Sequence, residues 1–150
     1  TKPVILPNET NYAAYLSGLG LKYIRPHEVL RPHRNVRSGV ANKLPPKTLW
    51  KHMAPTLRVA DKIRTRLGSQ LNYINSAYRS PAYNAKCPGA ASRSYHMQNC
   101  ALDLMFDCGS ETAFAMAKTL RSEGVFRGGI GYSAFIHIDT RGHDSTWGQA

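Results

Sequence analysis

Two apolar runs in this chain are each interrupted by one side chain that cannot be buried alone. Asp103 breaks Ala101-Leu102-Asp103-Leu104-Met105-Phe106, and His137 breaks Phe135-Ile136-His137-Ile138. Both runs have the length and composition of buried strands, so each polar group needs a partner to offset its loss of water. A single metal ion would serve both and fasten the strands to each other. His96, in a polar loop flanked by small residues, supplies a third donor. A catalytic zinc takes three ligands from protein and keeps a fourth position for water, and His96, Asp103 and His137 fill those three places. Taken one at a time, each histidine reads first as a hydrogen-bonded core or surface residue; it is the set that points to Zn2+.

The neighbouring residues sharpen this. Ser76-Ala-Tyr78-Arg79-Ser-Pro81, Gly89-Ala-Ala-Ser-Arg-Ser94-Tyr-His96, Ala101-Leu-Asp103, and His137-Ile-Asp139 with Trp147 follow one another in this order. Together they resemble the motifs of the M15 metallopeptidases, the group of D-alanyl-D-alanine carboxypeptidases and peptidoglycan endopeptidases that shares its fold with hedgehog signalling domains. The resemblance runs over about residues 50–147. It implies a hedgehog/DD-peptidase-like fold and zinc-dependent hydrolysis of a peptide bond in peptidoglycan or its stem peptides. Arg79 would stabilise the developing oxyanion. Tyr78, Ser94 and Trp147 fall at substrate-side positions, with Ser94 also placed to hydrogen-bond near His96 and Trp147 also able to close the core. Asn99 stands where the family usually has glycine, and asparagine is the next best residue at positive φ.

One part of the pattern is missing. Many relatives carry a general base, a Glu three residues before the last zinc histidine or a His two before it. Here those positions hold Ala134 and Phe135. Asp139 is the first substitute, because residues i and i+2 of a strand share a face and its carboxylate points with His137; His143 is the second. Asp139 reads equally as the acceptor for a ligand histidine's N–H. The lost base keeps open a non-catalytic alternative, a zinc-stabilised binding module for cell-wall or other anionic polymer.

Charge bears on the partner. Lys and Arg number 20 against 9 Asp and Glu, a net charge of +11, which attracts a polyanion, whether nucleic acid, an anionic membrane surface or an acidic wall polymer, without choosing among them. Nucleic acid is not expected, because no aromatic residues interleave the basic cluster in an RNP-like pattern. No apolar run approaches the ~20 residues of a membrane span. The start, Thr1-Lys-Pro-Val-Ile-Leu-Pro7, has neither an initiator Met nor an apolar signal segment, so the chain reads as processed and the expected location is periplasmic or extracellular. Cys87, Cys100 and Cys108 form an odd set. A Cys87–Cys100 bridge would stiffen the His96 loop in an oxidising compartment; three small buried thiols is the other reading.

At 150 residues the chain suits one domain, with residues 1–50 as a helix and basic loop layer and 51–150 as the core with the metal site. Residues 8–19 read as a short helix capped by Asn8. The Pro/Arg/His-rich stretch 22–51 reads as ordered loop, with His27 and His33 on the surface after Arg-Pro pairs. Pro55 should open a helix that Gly68 ends, and residues 71–78 a strand that delivers Arg79. A helical turn at 81–86 and a loop at 87–94 precede the strand 101–106. Ser110 should cap a helix that Gly124 stops, and 128–132 with 135–140 should form a hairpin turning near Ser133-Ala134. The expected architecture is α+β, an antiparallel β-sheet with helices packed against it.

Overall fold

The computed structural model describes residues 6–148; residues 1–5, most of the segment read as the start of a processed chain, and 149–150 lie outside the described residues. From the N-terminus, α1 (Glu9–Ser17) and α2 (Pro26–Leu30) lead into a 3-10 turn and a two-residue hairpin, β1 (Val36–Arg37) with β2 (Val40–Ala41). The long helix α3 (Trp50–Leu67) is followed by β3 (Leu71–Ser76), the short α4 (Pro81–Asn84) and β4 (Ala101–Phe106). Helix α5 (Ser110–Ser122) and strands β5 (Gly129–Tyr132), β6 (Ile136–Asp139) and β7 (Ser145–Gly148) complete the described chain. The main sheet runs β3-β4-β6-β5-β7.

Period-two alternation gives this sheet two chemically different faces. Leu102, Leu104, Ile136 and Ile138 point to one side and are fully buried, joined in one core with Leu57, Ala60 and Ile63 of α3 and Phe114, Ala117 and Leu120 of α5. Each large side chain buried there contributes roughly 1.5–3 kcal/mol relative to exposure. Asp103 and His137, odd members of the same strands, point to the other side. The apolar face therefore holds the helices, and the opposite face is left for chemistry.

The sheet is mixed. β3, β4, β6 and β5 pair antiparallel as expected, but a fifth strand, β7, adds parallel to β5. Helix α3 begins at Trp50, so Pro55 lies inside it. Its missing N–H leaves the carbonyl of Lys51 without its helical donor, on a side where both residues are exposed to solvent. What requires the earlier start is Trp50 and Met53, both buried. Helix α5 is preceded by Gly109 at φ 91° rather than capped by Ser110, whose hydroxyl donates to the Ala134 carbonyl at 2.8 Å. Asn8 does sit at the N-cap of α1, but at φ 64° and without a side-chain cap bond.

The basic stretch before α3 is more structured than a loop layer. Pro26 and Pro32 each start a helical turn, where a missing N–H costs nothing. His33 is fully buried, not a surface residue; its Nδ1 lies 3.2 Å from the Leu30 carbonyl and its ring stacks near Tyr78. Asp61 of α3 accepts the backbone N–H groups of Lys22, Tyr23 and Ile24 at 2.8, 2.9 and 3.2 Å, tying this layer to the core. The three cysteines are free thiols, so no Cys87–Cys100 bridge forms; burial pushes the Cys100 thiol up to about 11.

Candidate metal centre and its cleft

Strand register brings the first two donors together. Asp103 of β4 is the direct cross-strand partner of His137 of β6, and the His137 Nδ1 stands 3.0 Å from Asp103 Oδ1. The third donor arrives on a 3-10 turn, Tyr95–Gln98, whose first N–H groups are met by Ser94: its hydroxyl accepts from the backbone N–H of His96 at 3.2 Å. Asn99 ends that turn at φ 59°, a left-handed position that asparagine tolerates, and donates through Nδ2 to the Leu49 carbonyl at 2.9 Å. His96 Nε2 then lies 3.3 Å from the same Asp103 oxygen.

The outer side of each ring is also held. His96 Nδ1 is 2.7 Å from the Ala77 carbonyl, and His137 Nε2 is 2.8 Å from Asp139 Oδ2. When those outer nitrogens donate, His96 Nε2 and His137 Nδ1 keep their lone pairs and face one another across Asp103. One ligand atom from each of His96, Asp103 and His137 lies within 4.8 Å of the others. Two neutral imidazoles and a carboxylate, each oriented from behind, fit a divalent cation of the zinc type.

Electrostatics follow from this crowding. Burial alone would raise the Asp103 pKa, but the closeness of His96, and then of His137, outweighs it and holds the carboxyl below its usual range. Burial would lower His137, yet its bonds to Asp103 and Asp139 carry it upward. Asp139, fully buried, is pulled down against its own desolvation by His137, Arg141 and the Gly129 N–H.

An open cleft of about 540 Å³ leads to the three donors. Arg79 stands at its edge with Nη2 3.3 Å from Asp103 Oδ2, Nη1 3.3 Å from Asn84 Oδ1 and Nε 3.0 Å from the Ser76 hydroxyl. Its backbone is pinned from both sides by Asn42, which donates to the Tyr78 carbonyl at 2.9 Å and accepts from the Ser80 N–H at 3.0 Å. Ser94, Phe135 and Trp147 also line the cleft. Trp147, 42% exposed, sits with its ring 5.0 Å from that of His137.

Other expected site residues lie elsewhere. Tyr78 is buried against His33 and is not part of the cleft lining. His143 is exposed on the loop after β6, also outside the lining. Asp139 is taken up by His137, Gly129 and Arg141 rather than open to the cleft. Among the described residues, Asp103 is the only carboxylate in the lining.

Several contributors escaped the sequence reading. Asn42 and Asn84 act through bonds to residues far along the chain or across a loop, which no local pattern announces. Gly128-Gly129-Ile-Gly131 did carry a signal. A Cβ at Gly128 would fall 1.7 Å from the Asp139 carbonyl oxygen, at Gly129 2.4 Å from Asp139 Oδ2, and at Gly131 2.3 Å from Trp147 Nε1. Those glycines are the space that the site occupies.

Compared with known proteins, the chain matches a family model described as Peptidase M15 over residues 22–139. That span includes the three converging donors, Arg79 and Asp139. No curated protein and no solved structure matches the chain.

Proposed function

Because the chain belongs to the M15 peptidase family, we propose that it is a zinc-dependent peptidase cutting a peptide bond of peptidoglycan, as a DD-carboxypeptidase or an endopeptidase. The observation that carries this reading is the convergence of His96, Asp103 and His137 at the floor of an open cleft, with both rings held from behind. Zinc held by these residues would supply Lewis acidity, polarising the scissile carbonyl and making water acidic enough to lose a proton near neutral pH. Arg79, fixed by three acceptors at the cleft edge, would face the oxygen on which negative charge develops. Ser94 holds the turn that presents His96, Trp147 offers an apolar platform to the substrate chain, and Asp139 orients His137. A hedgehog/DD-peptidase-like fold is part of the same reading, as is a periplasmic or extracellular location, where such a substrate lies.

A second reading has one observation in its favour. Among the described residues no carboxylate besides Asp103 lines the cleft, and Ala134 and Phe135 occupy the places where relatives carry a base. On that ground the zinc would be structural and the basic surface would bind wall polymer without cutting it.

Mass spectrometry of purified muropeptides separates the two. Zinc-loaded protein, chelated protein and the His96→Ala variant are incubated with the same substrate. A product mass that appears only with the zinc-loaded protein supports hydrolysis and identifies the bond. Three identical spectra from a protein that still binds zinc favour the binding module.

A further inference from the structure

We propose that Arg141 is a positioning residue: it clasps the two segments that carry His96 and His137 and so presets the donor geometry for zinc. The inference rests on the reading of the site as a zinc centre. Arg141 follows β6 and grips Asp139 with a fork, Nε to Oδ1 at 2.9 Å and Nη2 to Oδ2 at 2.8 Å, while its own backbone N–H reaches Oδ1 at 3.1 Å. Oδ2 is the oxygen that meets His137 Nε2. Holding both oxygens fixes the plane of the carboxylate, and hence the direction in which His137 presents Nδ1 to the cleft.

The same guanidinium reaches the other arm. Its carbon lies 4.1 Å from the ring centroid of Tyr95 and 5.4 Å from that of Trp147. Tyr95 opens the turn that presents His96, and Trp147 stands against His137. One planar cation thus touches the His96 turn, the end of β6 and the β7 wall. Room for it is reserved, since a Cβ on Gly129 would sit 2.6 Å from Arg141 Nη2. Lysine could match the charge but neither the two-point grip nor the flat stacking surface.

The test measures zinc affinity by competition with a chromophoric chelator, together with the visible spectrum of the cobalt(II)-substituted protein. Wild type, Arg141→Lys, Arg141→Met and Tyr95→Leu are compared. Arg141→Met is expected to bind zinc roughly 10- to 100-fold more weakly, the range seen when outer partners of metal ligands are removed. Its cobalt bands should shift while far-UV circular dichroism is retained, and Arg141→Lys should recover only part of the affinity. Affinity within twofold of wild type and an unshifted spectrum overturn the clasp. Should Arg141→Met fail to fold, Tyr95→Leu decides, because it keeps the grip on Asp139 and removes one stacking face; a severalfold loss supports the proposal and an unchanged affinity overturns it. A wild type that binds no zinc overturns the zinc centre along with the clasp. Zinc binding that ignores all three substitutions overturns the clasp alone.

Discussion

At the scale of single residues, the sealed imidazole of His33 makes the fold sensitive to acid. Burial lowers its pKa from 6.5 to about 4, so between those values the unfolded chain takes up a proton that the native one refuses. Unfolding is then favoured as pH falls through this window, and the stability His33 allows at neutral pH is lost progressively on acidification. Urea unfolding from pH 7 to 4 should show this, with a contribution on the order of 3 kcal/mol that disappears in His33→Leu. A pH slope identical in the two proteins would rule it out. Gly131→Ala places a methyl group inside the Trp147 indole, so Trp147 must leave the cleft wall. In a Trp50→Phe background the emission of Trp147 should shift to the red and the KM for a cleaved muropeptide should rise severalfold. His33 also shows why some positions mislead: Arg-Pro-His in a basic stretch looks solvated, and only the packing of Tyr12, edge-on, and Tyr78, stacked, around it from distant segments makes it interior.

At the scale of elements, short-range patterns foretold what short-range physics decides. β4 and β6 are legible because alternation and one polar break each define both faces, and Asn99 because a left-handed residue must end the His96 turn. β7 was not, since Ser145-Thr-Trp-Gly is largely exposed and owes its place to pairing with β5. The start of α3 lies before Pro55 because proline's preference for a first turn yields to burial of Trp50 and Met53. The two-sided role of Asn99 can be tested. Asn99→Ala gives up both the tolerated left-handed backbone and the bond to Leu49, and should cost about 2–3 kcal/mol in urea unfolding. Asn99→Gly keeps the backbone and should cost only about 1 kcal/mol. Equal losses in both variants would mean that the turn does not depend on its backbone conformation.

At the scale of the whole molecule, a net charge of +11 acts over distances that no single contact spans. Exposed cations such as Arg58 and Lys62 on the outer side of α3 should hold the protein on sacculi that carry anionic polymer. Sedimentation with such sacculi should fall steeply when salt is raised from about 0.05 to 0.5 M, where screening shortens from over 10 Å to a few. Cleavage of small soluble muropeptides should change less, since two of the three arginines lining the cleft, Arg79 and Arg141, are paired with neighbouring carboxylates. Salt-independent sedimentation would locate the attraction in specific contacts instead.

The pairing of Asp103 with His137 across β4 and β6 also carries information about time. These residues are 34 positions apart, with α5 and β5 between them, and such long-range pairings form late because loop closure must come first. Two donors held opposite one another by strand register cannot chelate until that register is set. In a stopped-flow refolding experiment with cobalt(II), the rise of visible absorbance would therefore mark the moment the sheet closes, separately from the earlier helical signal. The metal site would serve as a clock for its own scaffold.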